Sequence, residues 1–519
     1  MGHLFTDCLV VGSGVAGLRA ALAAAAAGTV QILVKDVVSG SNTYHAQGGI
    51  ASVLRPDDTI ASHIEDTLRT GCGLCDREVV EMVVGRGPAM IEQLCQWQTP
   101  FDREDGKLAT GLEGGHSHPR VAHALGDATG KAVALALLDQ VKKHPNIKIF
   151  EHCYAIDLLT ENGACLGVLS YHPKHGYQCM WARKTILASG GAGQLWRETT
   201  NPAGATADGM ALAWRAGAVL ADLEFMQFHP TTLYIAGAER FLITEALRGE
   251  GGYLLDKSGH RFMPDVHEMA ELAPRDVVSR AIYERMAQTN ATNVFLDLRH
   301  LGAKWLAERF PTINQLCQSF DINVDTDLIP VRPSAHYMVG GVKVDREGRT
   351  NIAHLYACGE CSATGLHGSN RLASNSLLEG LVYGQICGQN TAAEIAANHG
   401  TVERLNIQYV IEESPRTKLD IADVTNSLRA VMWRNAGIVR QGERLAETLE
   451  IIDFWRRYVM DKVFDEPAGW QCQNMLTISR LAVQAAHQRQ ESRGVHFRED
   501  YPSTDDVNFK RHLEFQQKS

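Results

Sequence analysis

The sequence predicts an α/β fold: a nucleotide-binding domain made from two separated stretches of chain, a domain inserted between them, and a helical bundle after them. Three observations predict it. An apolar run from Cys8 to Val11 enters the turn Gly12-Ser13-Gly14-Val15-Ala16-Gly17 and then the helix-favouring LRAALAAAAA. A second apolar piece ending in an acid, LYACGE at Leu355 to Glu360, stands far down the chain. Beyond about residue 405, the apolar positions Leu428, Val431, Met432, Ile438, Leu445 and Leu449 recur at helical spacing.

Composition bounds the reading. At about 150 residues per domain, 519 residues make two to four domains. Hydrophobic residues at 45% against 21% charged exclude a disordered or low-complexity chain. Fifty Lys and Arg against 60 Asp and Glu give a net charge of −10, which argues against a nucleic-acid partner or a polybasic membrane contact. No uncharged apolar run approaches the roughly 20 residues that cross a bilayer; Ala20 to Ala27 is too short and is flanked by Arg19 and Gly28. The first residues enter a strand without the pattern of an export signal, so a cytoplasmic location is expected. Cys72/Cys75 and Cys358/Cys361 have Cys-x-x-Cys spacing, but a zinc site would need the two pairs to meet. Cys358 reads as a buried, inert thiol, and no metal is expected.

In chain order, the opening is a βαβ unit with the dinucleotide fingerprint in its required context. Gly12 permits the tight turn, Gly14 lets a pyrophosphate approach the backbone, and Gly17 lets helix and strand pack closely. The start of the helix then offers N–H groups and a positive dipole end to phosphate. The second strand, Val30 to Val34, ends in Lys35 and Asp36 where an NAD site would carry a ribose-binding acid. A cation there would face the nucleotide of a flavin. The loop NTYHAQGGI follows, and Gly48-Gly49 would allow a flat ligand close to the backbone. Helices are expected near Ile60 to Arg69 and Glu78 to Trp97, strands over residues 147 to 189, and a helix near Ala207 to Gly217. The stretch from Phe225 to Tyr337 changes character, with His, Arg, Glu and Pro among short apolar pieces. LYACGE then reads as the nucleotide domain resuming. The expected divisions are 1–224 and 338–404 for the nucleotide domain, 225–337 for the insert and 405–519 for the helical domain.

Four segments hold more polar and charged groups than packing needs. They are Glu113 to His118; Phe228-His229-Pro230-Thr231 with Thr244 to Gly249; Ala273-Pro274-Arg275-Asp276; and His336-Tyr337 with Gly340-Gly341 and His367 to Arg371. Their flanking Gly and Pro residues indicate fixed backbones that present side chains.

On the stretches EGGHSHPR, EFMQFHPTTLY, TEALRGEGGYL, LAPRDVVSRAI, AHYMVGGV and TGLHGSNRLASNSLLEGLVYG, the chain resembles the flavoprotein family of succinate dehydrogenases, fumarate reductases and L-aspartate oxidases. The likeness runs from VVGSGVAGL to ESRGVHFREDYP and is strongest to the aspartate-oxidising members. It implies a Rossmann-like FAD-binding domain interrupted by an α+β capping domain and followed by a C-terminal helical bundle. Respiratory members attach FAD through a histidine five residues before the glutamine of Gln-Gly-Gly. Counting back from Gln47 gives Asn42, so non-covalent FAD is expected, and His45 is misplaced to substitute. By the same resemblance Gly12, Ser13, Gly14, Val15, Ala16, Gly17 and Lys35 bind the cofactor. So do Asn42, Thr43, Tyr44, His45, Ala46, Gln47, Gly48 and Gly49, with Tyr154, Ala155, Asp208, Glu360, Ser376 and Leu377.

The resemblance also implies a four-carbon dicarboxylate substrate, contacted by Arg371, His336, His229 and Thr244. Bidentate arginine suits one carboxylate and histidine or hydroxyl donors the other. Arg275 matches the family's proton-transferring arginine, and an arginine acid needs a carboxylate to relay protons. Glu245 and Asp276 are both candidates, and Asp276 could instead only orient the guanidinium. Glu113 stands where the dehydrogenases carry an uncharged residue before Gly-Gly; its carboxylate would attract an amino-acid ammonium. The implied reaction is oxidation of L-aspartate to iminoaspartate, with O2 or fumarate reoxidising the flavin and quinolinate synthase consuming the product in NAD biosynthesis. One alternative is a fumarate reductase or succinate dehydrogenase flavoprotein subunit, which Asn42, Glu113 and the short C-terminal domain oppose; another is a non-catalytic flavin-binding sensor using Cys358 and Cys361, which the retained set of Arg and His residues opposes.

Overall fold

The structure, a computed structural model, describes residues 2–398, 400, 405 and 419–517. Its central sheet is parallel where strands are buried on both faces and joined by crossovers. Gly2–Val11 pairs in parallel with Val30–Leu33 on one side and Gly176–Leu187 on the other, and Val30–Leu33 pairs with Ile147–Phe150. The far edge is antiparallel, with Ala164–His172 joining Gly176–Leu187 to Tyr154–Glu161. Leu355–Ala357 comes back to this sheet and pairs in parallel with Thr185, Ile186 and Leu187. Helix Val15–Ala24 packs along helix Asn375–Ala397, so the first and the returning stretches share one core that holds Val10, Leu18, Ile32, Leu378 and Leu381.

Between them lies a second sheet, antiparallel throughout, in the order Met226–Leu233, Ile329–Met338, Val294–Asp297 and Tyr253–Leu255. Helix Arg275–Thr289 covers it. Leu254, Val278, Ile282, Leu296 and Ile329 form an apolar core separate from those of the parallel sheet. Sheet plus covering helix makes this insert α+β.

Helices Ile421–Asn435, Gly442–Val459 and Pro467–Gln488 pack on one another. Their apolar faces do not close on themselves alone: Leu428, Met432, Leu445 and Leu476 share a cluster with Leu187, Trp196 and Leu212. The helical region is therefore fused to one face of the parallel sheet. Glu514–Phe515 adds a strand against Leu220–Ala221, beside Gly341–Lys343. Among the described residues no helix is long and apolar enough to cross a membrane. The division expected after residue 404 falls outside the described residues.

Three local readings differ from expectation. Asn42–His45 is a turn of helix, not open loop, because the Ser41 side chain caps the Tyr44 N–H. LYACGE is strand only to Ala357; Gly359, at φ +70°, turns the chain into a 3-10 helix over Gly359–Cys361. Ile438 sits in the link between two helices, buried there by the same core.

Candidate active site

The ends of the parallel strands open on a cavity of about 550 Å³ whose walls come from both stretches of the sheet domain and from the insert. The fingerprint turn forms one wall. Gly12 has φ +114°, and a Cβ there would stand 2.1 Å from the Ala188 carbonyl oxygen; a Cβ on Gly17 would meet the Gly12 oxygen at 2.1 Å. Around Gly14 only Thr43 Oγ1 comes near, at 3.3 Å, so this face of the backbone opens on the cavity. Helix Val15–Ala24 begins without an acid in its first turn, leaving its positive end toward the cavity.

Lys35 reaches across the cavity floor. Its ammonium donates to Asp208 Oδ2 at 2.7 Å, to Thr206 Oγ1 at 2.6 Å and to the Gly204 carbonyl at 3.1 Å. Tyr154 and Asn474 donate to the other Asp208 oxygen at 2.9 and 2.7 Å. Burial works against ionisation of Asp208, but Lys35 and these donors hold it below the usual carboxylate range. Further along, Asn42 Nδ2 donates to Glu360 Oε2 at 3.1 Å and to Asn201 Oδ1 at 3.3 Å. Burial pushes the Glu360 carboxyl up to about 7. Gln47, Gly48, Gly49, Ala155, Ser376 and Leu377 complete this part of the lining; of the sequence-predicted cofactor residues, only Tyr44 and Gly17 do not line it.

The donor set fits a flavin dinucleotide. The turn is shaped for a pyrophosphate, Lys35 and Asp208 add a charged pair to the same lining, and buried polar atoms of the lining, Asn42 Oδ1, Gln47 Oε1 and Ser189 Oγ among them, have no hydrogen-bond partner within the protein.

At the other end the insert delivers charge. Arg275 opens helix Arg275–Thr289, and its Nε donates to Glu245 Oε2 at 2.6 Å. Arg248 Nη2 lies 3.1 Å from the second Glu245 oxygen, so the carboxylate is held between two guanidinium groups. Burial opposes the charge on Glu245, yet Arg275 and Arg248 keep it below the ordinary range. Gly114 makes room for this: a Cβ there would stand 2.3 Å from Glu245 Oε1. Arg371 approaches from the returning stretch over the Tyr337 ring and donates to Ser376 Oγ at 3.1 Å. Burial and neighbouring Arg275 bring the Arg371 guanidinium down to about 10. His229 and His336 stack edge to face at 5.1 Å; burial and Arg275 push both well below the usual histidine range, so both are neutral. His336 Nδ1 is bonded to the Thr200 hydroxyl at 2.9 Å.

Glu113 enters from the loop after strand Thr110–Gly111 and is only 2% exposed, so it is no mobile surface glutamate. Ser374 Oγ donates to its Oε2 at 2.6 Å. Burial and Glu245 raise this carboxyl above the ordinary range, and Ser374, Arg275 and Arg371 offset them only in part. Thr244, Glu245, Arg275, His229, His336, Arg371 and Glu113 thus all line one cavity. Asp276 faces elsewhere: it accepts from Asn370 Nδ2 at 2.8 Å and lines a separate cavity with Arg280. Of the two relay candidates, the geometry gives the contact with Arg275 to Glu245.

A family model described as FAD binding domain matches residues 7–377, and one described as fumarate reductase flavoprotein C-term matches residues 425–519. An L-aspartate oxidase of Streptomyces coelicolor is 41% identical over 98% of this chain and 90% of its own length. L-aspartate oxidase 1 of Ralstonia nicotianae is 42% identical over 96% of both chains. The chain belongs to the L-aspartate oxidase family. Among solved structures, a quinol fumarate reductase FrdA of E. coli superposes with a TM-score of 0.91 at 32% identity, covering 99% of this chain and 94% of that one. Family membership fits the FAD cradle and places the fumarate reductase flavoprotein as a relative of shared fold.

Two polar residues of this site carry no assignment in the sequence reading. Gln227 Nε2 donates to the Arg371 carbonyl and to Asn370 Oδ1, both at 2.8 Å, and its Oε1 accepts from Arg275 at 3.1 Å and Arg371 at 3.3 Å. It ties the two arginines to one acceptor. Its signal was position: two residues before His229 on one strand, hence on one face. Arg248 follows Glu245 by one helical turn, the spacing that lets side chains meet.

Proposed function

We propose that this chain catalyses FAD-dependent oxidation of L-aspartate to iminoaspartate, with O2 or fumarate taking the electrons, and that its FAD is held non-covalently. The observation that carries this reading is the charge layout of one buried cavity. Arg275 and Arg371 supply positive charge for two carboxylates, the neutral His229 and His336 supply uncharged donors or acceptors, and Glu113 sets a carboxylate among them with one oxygen free. A dicarboxylate alone would not need that negative group; a dicarboxylate with an ammonium does.

Bound FAD supplies a two-electron acceptor. The chain's own residues do the rest. Arg371 and Arg275 bind carboxylates, and Gln227 fixes the angle between them. Glu113 draws the ammonium to one side and takes a proton from it as the C–N bond becomes an imine. Residues of the insert, Leu242 and Thr244 among them, roof the cavity and limit water, which would hydrolyse the imine. When fumarate is the acceptor, Arg275 is the proton donor to carbon, and Glu245 between Arg275 and Arg248 passes protons to it. The product is suited to consumption by quinolinate synthase in a cytoplasmic pathway to NAD.

Anaerobic mixing of purified protein with L-aspartate tests this directly. Flavin absorbance bleaches with aspartate and recovers on adding fumarate or O2. Bleaching by succinate with none by aspartate would overturn the assignment in favour of a dehydrogenase or reductase subunit.

A further inference from the structure

The two oxygens of Glu113 have different surroundings. Oε2 accepts from Ser374, whereas Oε1 is buried and has no hydrogen-bond partner in the protein. Facing Oε1 at 3.9 Å is Nε2 of His123, and both nitrogens of that ring are also buried without a hydrogen-bond partner. Buried polar groups are almost always bonded, so two orphans facing each other mark a contact held slightly open. Strand Thr110–Gly111 pairs antiparallel with Val121–Ala122, which puts Glu113 and His123 beyond opposite ends of the pair, and the loop after Gly111 folds back to bring Glu113 to the ring. Gly111 keeps the path between them clear, since a Cβ there would stand 3.1 Å from His123 Nε2.

We propose that His123 is a specificity-determining positioning residue: as a neutral imidazole it donates its Nε2–H to Glu113 Oε1 and holds that carboxylate ionised and aimed at the ammonium of the amino-acid substrate. The inference rests on the reading of Glu113 given above and extends it to a second residue. Closing 3.9 Å to a hydrogen bond takes about 1 Å, within the swing of one side-chain torsion. The charges around the pair favour this arrangement. Glu245 faces Glu113 and raises its affinity for a proton, Arg275 and Arg371 lower it, and Arg309 faces His123. Burial and Arg309 bring the His123 imidazolium down to about 3, so the ring stays uncharged. A cation at this place would compete with the substrate ammonium for Glu113. A neutral donor stabilises the carboxylate without that competition. Fumarate and succinate, which lack an ammonium, gain nothing from the contact.

The test compares His123→Phe, which keeps ring bulk but removes the donor, with His123→Gln, which keeps an N–H donor. The holoenzyme variants are assayed for aspartate oxidation across pH and for fumarate reduction on the same preparation, with flavin content measured. His123→Phe lowers kcat/KM for aspartate about 5- to 100-fold, with fumarate reduction changed less than about threefold. Its acid limb for aspartate moves to higher pH, because Glu113 then holds its proton more tightly. His123→Gln recovers most of the loss. Equal losses in both reactions, or an unmoved acid limb, overturn the proposal. If His123→Phe does not fold, His123→Asn, too short to reach Oε1, makes the same comparison. Glu113→Gln, run alongside, separates the two readings. If it spares aspartate oxidation, the role of Glu113 fails; if it impairs aspartate oxidation selectively while His123→Phe does not, the role of His123 alone fails.

Discussion

Arg275 Nε stands 2.6 Å from Glu245 Oε2, and both side chains are buried in the wall of one cavity. The pair joins a helix start to a loop 30 residues earlier, and Arg248 closes the far side of the same carboxylate. A guanidinium is a poor acid alone; under the proposed reading Glu245, ionised between the two guanidinium groups, returns a proton to Arg275 only as it takes one up from the Arg248 side.

Arg275→Leu therefore nearly abolishes fumarate reduction while FAD stays bound, since the hydrogen bonds of Arg275 go to Glu245 and Gln227 and not to the cradle residues. Positioned acid–base groups contribute about 10²- to 10⁴-fold. Steady-state reduction of fumarate per bound flavin measures it. A loss below about tenfold moves the role to another residue.

Glu113→Gln keeps shape and removes charge. Aspartate oxidation loses one desolvated attraction, about 1 to 3 kcal/mol, or roughly 5- to 150-fold in kcat/KM. Fumarate reduction falls less or rises, because a nearby negative charge has gone. Assaying both on one preparation controls for folding and flavin content, and equal losses would leave Glu113 as a loop-shaping residue only.

Asn42 is engaged through its amide to Asn201 and Glu360, and an amide is no nucleophile toward a flavin methyl group. Acid precipitation of the holoenzyme therefore releases all flavin into the supernatant. Colour retained in the pellet would contradict non-covalent binding.

Glu360 sets a pH dependence. Its carboxyl titrates at about 7 when folded, against an ordinary value of 4.5. Between those values the folded chain holds a proton that the unfolded chain has released, so stability falls as pH rises through the window. Glu360→Gln removes this contribution. In flavin-free protein, the melting temperature of the variant minus that of the parent grows from about pH 4.5 to about pH 7 and then levels off. A constant difference across that range would show that Glu360 is not the titrating group.

Much of this was legible in the sequence, for identifiable reasons. Gly12 and Gly17 announced their turn because a Cβ at either meets a backbone oxygen at 2.1 Å, a constraint local enough to be written in one motif. The return of Leu355–Ala357 to the sheet could be read because apolar strands buried on both faces are unbroken apolar runs. Lys35 was legible as a cation closing the second strand, but its ion pair with Asp208, 173 residues away, was not. The roles of Gln227 and Arg248 were unreadable for a different reason, although Arg248 stood in a segment marked as rich in charge: their chemistry consists in whom they touch, and no residue type announces that. The choice between Glu245 and Asp276 likewise needed coordinates, because both neighbour a site arginine in sequence or space and only one points at it. The spacing that put Ile438 on a helix failed because burial, not helicity, is what an apolar residue records.

The parallel sheet that carries the cofactor cradle is finished only when Leu355–Ala357 docks beside Gly176–Leu187, and Glu360, Ser376 and Leu377 come after that strand. During synthesis the insert emerges from the ribosome before those walls exist. Its own core, built from residues such as Leu254 and Ile329, gives it the means to settle first and to hold the two flanking ends near each other. The phosphate turn shares this dependence, because the helix it opens packs along Asn375–Ala397, so both walls of the cradle are complete only once the last part of that domain has been made.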